Sequence, residues 1–377
     1  MTTVDLDLAG LLRLRLVDPA DRDREAVVRQ LGCPAIPADG DADLTIRYIE
    51  RMGARNAESR RIGPGDVRWT DDGLVLVRGH GRSERWALVP FDRIGTSDAG
   101  VEIVCERDIG PVPLLMSAIN LTLLGRGVLP LHASSFVAGG FGIVAAGWSK
   151  SGKTEALLAF MDRGARIVAD EWTYVHADRS LSGLPTPIRL EPWHLAQRPA
   201  LVERLDPRER RRLGRLSAVR RGRGLASRAA QKLPGRRLID GAFDLALAND
   251  RVDVAPDDLF SPDRRAPTAT ADVVFWMVPR ESSAIETSAV APSDFAARMA
   301  TAHVHHRREF LDAYWRFRYA FPDRRNPLVD AMEERELELL ETTIGEREVI
   351  RVEHPKPVDL GRLADAMSRH LPPRTAS

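Results

Sequence analysis

Residues 147 to 154 read Gly-Trp-Ser-Lys-Ser-Gly-Lys-Thr, the G-x-x-x-x-G-K-[ST] spacing of a loop that cradles nucleotide phosphates. Each position has a chemical task. Gly147 and Gly152 let the backbone approach a phosphate closely, where a Cβ would collide. Between them Ser149, Lys150 and Ser151 contribute backbone N–H groups that converge on an anion. Lys153 is expected to reach the β and γ phosphates, and Thr154 to place its hydroxyl on Mg2+. Asp170 and Glu171 follow close behind the loop. Two adjacent carboxylates suit a Mg2+ ligand and a base for an acceptor hydroxyl. Arg189 is the residue type that neutralises charge developing on a transferred phosphoryl group, and it reads equally well as a surface arginine on a short strand.

Such residues act only if regular elements aim them. Gly142 to Ala146 is an apolar run that can form the buried strand leading into the loop, and Glu155 to Phe160 continues as a helix. A strand-to-helix bend turns successive N–H groups inward, and the helix N-terminus adds partial positive charge. Arg166 to Ala169 reads as a short strand delivering Asp170-Glu171. Leu131 to Val137 runs into Gly139-Gly140, which predicts a strand and a hairpin turn before the loop strand. His132 is thereby expected near the phosphates.

Leu131-His132, the 147–160 segment and Met161 to Glu171 together resemble the catalytic domain of HPr kinase/phosphorylase and its relatives in order and spacing. The matching features are His132, Glu155 after the loop Thr, the Arg163-Gly164 turn, and the acidic pair. The resemblance covers roughly residues 129 to 192. It implies that Asp170 is the general base, that Thr154 and Glu171 hold Mg2+, and that His132 supports the catalytic carboxylate or the phosphate. The implied fold is α/β, a P-loop kinase core of the type shared with phosphoenolpyruvate carboxykinases. Glu171 stands where the classical enzymes usually have Asp, and the Glu-Ile-Arg-Gly signature of the bifunctional enzymes has at most a partial analogue in residues 187 to 191. The first 128 residues do not look like the usual regulatory domain, which argues against HPr itself as substrate.

Those first 128 residues alternate short apolar runs with turn signals, such as Leu74 to Val77 and Trp86 to Val89, and predict a β-rich α+β domain. Pro111 to Gly125 reads as a helix leading into the core. Residues 129–377 are then the P-loop domain, in which Val273 to Val278 is a further buried strand closed by Pro279 and Arg280. Within that domain, 203–237 carries twelve Arg and one Lys against three acids, although the whole chain has a net charge of only +1. This stretch reads as a solvated insertion or a grip for an acidic substrate. Nucleic acid is disfavoured, since no aromatic interleaving or recognition motif accompanies the charge.

His303, His305 and His306 read as surface or interface residues in preference to a metal site, because no third ligand is apparent. Trp315, Phe317 and Tyr319 are expected to pack under the sheet or against the amino-terminal domain. A hydrophobic content of 44% with 29% charged residues indicates a globular chain of 377 residues, long enough for two ordinary cores. Cys33 and Cys105 have no metal-like spacing and read as reduced thiols. The first residues lack a signal-peptide pattern, and the most apolar stretch is too short to span a bilayer, so a cytoplasmic location without membrane attachment is expected. The functional expectation is an ATP- and Mg2+-dependent phosphotransferase acting on Ser or Thr of a peptide or protein. A small-molecule alcohol kinase and a nucleotide-binding switch are the alternatives. Ring assembly occurs among the resembled enzymes, so a homo-oligomer is compatible with the sequence.

Overall fold

Alternation of apolar residues along short segments decides the amino-terminal architecture. In the strand Leu44–Ile49 every second side chain is buried, the period that lays one face of a strand on a core. Nine strands form one mixed sheet in the order Ala35–Pro37, Thr3–Asp7, Arg13–Val17, Leu44–Ile49, Val101–Glu106, Arg85–Val89, Leu74–Arg78, Val67–Trp69 and Arg60–Arg61. The two parallel pairings, of Arg13–Val17 with Leu44–Ile49 and of Leu44–Ile49 with Val101–Glu106, sit at its centre. The computed structural model describes residues 2–53, 59–63, 66–96, 100–215, 251–345 and 347–373. Its described residues are α/β with two mixed sheets and two antiparallel ones. The chain forms two compact units, residues 1–186 with 265–377, and residues 187–264.

The first unit also holds a six-stranded sheet in the order Arg166–Ala169, Ala133–Ala138, Phe141–Ala146, Val273–Pro279, Val349–His354 and Glu286–Val290. Ala133–Ala138 and Phe141–Ala146 form an antiparallel hairpin, turned by Gly139 and Gly140, both at positive φ. Phe141–Ala146, Val273–Pro279 and Val349–His354 run parallel. Arg166–Ala169 is antiparallel to Ala133–Ala138, and so points the same way as those three. Four carboxyl ends therefore share one edge of the sheet, the place where open α/β sheets bind ligands. The helix Lys153–Met161, which leaves this edge, has eight buried residues, because it lies between the sheet and the carboxy-terminal helix Leu360–Ser368. Helix Leu115–Gly125 is buried on nearly every side, and its one amide, Asn120, accepts a hydrogen bond of 3.1 Å from Tyr174 Oη.

The second unit pairs Ile188–Leu190 antiparallel with Val252–Val254 and adds the short helices Pro192–Gln197, Pro199–Arg204 and Pro256–Phe260. Each of these helices starts with Pro at its first turn, where the missing N–H costs nothing. Of the basic stretch 203–237, residues 216–237 lie outside the described residues. Among the described residues no helix is long and apolar enough to cross a membrane.

One sequence expectation is corrected here. Trp315 and Tyr319 are 62% and 78% exposed, and only Phe317 of that aromatic set is buried. All three sit on the helix Arg308–Ala320. Residues two apart on a helix face away from each other, so one face takes Phe317 into the core and the opposite face carries Trp315 and Tyr319 into solvent.

Asn326 ties the carboxy-terminal helices to the amino-terminal sheet. It is fully buried. Its amide nitrogen donates to the carbonyl oxygens of Phe91 at 2.8 Å and Ile94 at 2.9 Å. Its carbonyl caps the helix Pro327–Asp330 by accepting from the N–H groups of Leu328 and Val329. Asn326→Ala is expected to destabilise the fold by about 3 kcal/mol, because several buried backbone groups lose their only side-chain partner. Urea denaturation measures this, and a loss below about 1 kcal/mol would mean that the helices are held to the sheet by packing alone.

Candidate nucleotide site

The turn Gly147 to Gly152 joins the strand Phe141–Ala146 to the helix Lys153–Met161. Gly147 and Gly152 have φ of 154° and 105°, and Lys150 lies between them at 61°. A Cβ on Gly152 would stand 2.4 Å from His354 Nε2, and one on Gly147 would stand 2.6 Å from the carbonyl oxygen of Met277. Glycine is thus required at both positions on two grounds, backbone conformation and close approach. Lys153 folds over the turn, its Nζ donating to the carbonyl oxygens of Trp148 at 2.8 Å and Gly147 at 3.2 Å. Burial lowers its pKa to about 8.

Asp170 and Glu171 arrive at the same edge from the strand Arg166–Ala169, and their side chains take different partners. The Asp170 carboxylate accepts from the Ser134 hydroxyl and from Thr154 Oγ1, the latter at 3.2 and 3.3 Å to its two oxygens. Burial, and then the charge of Glu171, raise its pKa to about 6. Glu171 adopts φ 72°, and its Oε2 lies 3.1 Å from His132 Nε2. Burial and the nearby Lys153 charge lower the His132 pKa to about 4, against the pull of Glu171, so the imidazole is neutral at physiological pH. Lys153, Thr154, Asp170, Glu171 and His132 are therefore brought together, with Ser149, Lys150 and Ser151 in the turn. Arg189 lies in the second unit, where its Nε is 3.2 Å from Asp253 Oδ1. Arg280 is engaged at the sheet edge by Glu286 and Glu353.

Several residues at this edge carry no sequence signal of their own. Ser134 is one of them. His354 ends the strand Val349–His354 directly beneath the turn, with Nε2 2.8 Å from the Ser151 carbonyl oxygen. Lys356 Nζ donates to the carbonyl oxygen of Lys150. Topology brings them there, since their strand runs parallel to the loop strand and its carboxyl end shares the same edge.

Helix Pro292–His306 builds a wall of rings beside the acids. His306 lies 3.7 Å from His132, Trp172 lies 5.3 Å from His132, and Trp148 stacks on His305 at 4.6 Å, all between ring centroids. The surface-or-interface reading is corrected for His303, which is 1% exposed. Its Nε2 accepts from the backbone N–H of His132 at 3.3 Å, and its Nδ1 is 3.5 Å from Glu336 Oε2. The histidine took part in no visible charge pattern because its partner stands on another helix, Met332–Ile344. Glu336 also pairs with the buried Arg307. Burial opposes ionisation of Glu336, but the Arg307 charge outweighs it and holds the carboxylate pKa at about 2. Among the described residues no group of three or more His, Cys, Asp or Glu is placed to hold a metal ion.

No protein-family model matches this sequence, and comparison with curated proteins gives no match. The site itself is the basis for a functional reading.

The buried acid makes a testable signature. The pKa of Asp170 rises from 3.8 to about 6 on folding, so the folded chain binds this proton more tightly than the unfolded chain. Stability from this group is complete at low pH and is lost as pH rises through that interval. Asp170→Asn removes the buried charge and keeps an acceptor for the two hydroxyls. Without nucleotide or divalent cation, the variant is expected to be more stable than the native chain at pH 8 by on the order of 2 kcal/mol, with the difference vanishing near pH 4. Thermal melts at the two pH values measure it, and equal melting temperatures at pH 8 would contradict the assignment.

Proposed function

We propose that this chain is an ATP- and Mg2+-dependent phosphotransferase of the HPr kinase type, moving the γ phosphoryl group to a hydroxyl of Ser or Thr in a peptide or protein. The observation that carries the reading is the convergence of the loop lysine, the loop threonine and two differently partnered carboxylates at one edge of a sheet. A structural turn needs none of these. The phosphate chain of ATP suits the turn, whose positive-φ residues and helix N-terminus present N–H groups to an anion. Lys153 then exchanges its carbonyl partners for phosphate oxygens and stabilises the charge that develops during transfer.

The donor set fits magnesium. Thr154 and Glu171 would hold it through hard oxygens, a hydroxyl and a carboxylate, and Mg2+ normally completes its shell with water and substrate phosphates instead of a protein cage. When bound, it supplies neutralisation of the β and γ oxygens. The chain's own part is positional. Thr154 donates its hydroxyl proton to Asp170, which leaves its lone pairs for a cation. His132 holds Glu171 by one ring nitrogen, and Glu336 with His303 holds the backbone of His132. Asp170, with a pKa near neutrality, is matched to accept the proton of the attacking hydroxyl.

The test uses γ-labelled ATP and Mg2+ with separated protein and small-molecule fractions of a host lysate. Label is expected in the protein fraction with the native chain. Asp170→Asn is expected to reduce transfer by about a hundredfold or more while retaining nucleotide affinity, and Lys153→Ala is expected to lose that affinity. Nucleotide binding without Asp170-dependent transfer to either fraction would replace the kinase by a nucleotide-dependent switch.

A further inference from the structure

Beside the phosphate turn lies a groove of about 480 Å3, lined by Trp148, Trp276, Ala297, Arg298, Thr301 and their neighbours on the helix Pro292–His306. We infer that this groove receives the acceptor peptide, seating an apolar side chain near the acceptor Ser or Thr between Trp148 and Trp276. The inference rests on the phosphotransferase reading and adds to it where the acceptor lies and what recognises it.

Position is the first argument. Lys153 reaches the β and γ phosphates in loops of this kind, and its Nζ here lies on the Trp148 carbonyl at 2.8 Å. Trp148 therefore marks the end of the turn where the transferable phosphate sits. From its ring the wall continues without a break. His306 is 6.4 Å from Trp148 and 3.7 Å from His132, ring to ring, and His132 is 3.1 Å from Glu171. A chain lying in the groove would present a hydroxyl to the acidic pair, and a near-attack placement is what such a transfer requires.

Chemistry is the second. Trp148 is 47% exposed, one of the few large apolar side chains on the surface, and it is stacked on His305 at an interplanar angle of 26°. Trp276 carries the Arg298 guanidinium 4.9 Å from its ring centroid and that of Arg351 at 6.0 Å. The polar side chains of the lining face one another or their own helix. Arg298 faces Asp294 at 3.9 Å, and the Thr301 hydroxyl donates to the carbonyl oxygen of Ala297 at 3.1 Å. A polyhydroxylated small alcohol would need convergent hydrogen-bond partners to be held and recognised. Two indole rings over a near-neutral floor select an apolar side chain instead, and rigid aromatic flanks are efficient anchors for one.

The experiment fills the groove from its solvent side. Ala297 and Thr301 are exposed, so Ala297→Trp and Thr301→Trp add bulk without disturbing the core. The probes are an arrayed set of twelve-residue peptides with a central Ser or Thr, with free serine and glycerol as small alcohols, all with γ-labelled ATP and Mg2+. Peptides with an apolar residue within three positions of the acceptor are expected to be labelled preferentially. In both variants their KM is expected to rise roughly tenfold or more, with kcat at saturation, the KM for ATP and acceptor-free ATP hydrolysis unchanged. An unchanged peptide KM in both variants overturns the inference and leaves the kinase reading standing. Label entering only serine or glycerol overturns the inference and replaces the peptide acceptor of the proposed function by a small alcohol. Absence of Lys153-dependent ATP binding removes the kinase reading and this inference with it.

Discussion

The burial of a carboxylate beside a second carboxylate is the constraint on which the rest of this site depends. Asp170 is almost fully enclosed and its nearest partners are two neutral hydroxyls, Ser134 and Thr154. Their hydrogen bonds favour the anion, but burial and the charge of Glu171 outweigh them, so the proton affinity of the acid rises. Keeping Glu171 from adding more repulsion requires that it be drawn elsewhere, and His132 does this. His132 in turn must stay neutral and oriented beside Lys153, a task shared by His303 and the buried Glu336–Arg307 pair. A charge problem at one residue is thus distributed through side chains on two sheet strands and three helices.

The elements that carry the loop and the acids were legible because each has a local signature. An apolar run, a glycine-rich turn and a helix are contiguous in residues 141 to 161, and the Gly139-Gly140 turn announces its own hairpin. Asp170 and Glu171 were legible for the same reason, as acids ending a short apolar strand. The strand Val273–Pro279 and the helix before the core also followed from uninterrupted apolar patterning.

The remainder depended on pairings between distant parts of the chain, about which local pattern is silent. His354 and Lys356 reach the turn because their strand is parallel to the loop strand with one strand between them, and a run such as Val349 to Val352 does not say which neighbour it will take. His303 was misread as a surface or interface residue because its helix is only weakly amphipathic, and burial there is set by Glu336 on a separate helix. The aromatic set at 315 to 319 was misread by treating three rings as one cluster, although helical geometry must separate the middle one from the other two. The acid roles drawn from family resemblance belong to a different kind of inference, to which the structure adds the partners of each acid.

Glu171 occupies the left-handed region of backbone space, at φ 72°, which side chains other than glycine and asparagine rarely adopt without strain. That turn ends the strand and brings two successive side chains, which an extended strand would send to opposite faces, to the same edge. It also sets stability against chemistry at a single codon. Replacement by glycine would relax the backbone and relieve the repulsion on Asp170, while deleting the carboxylate that the proposed reaction uses. A laboratory selection for heat resistance alone would erode the site at this residue as it would at Asp170, which makes position 171 one to hold fixed when the protein is engineered for robustness.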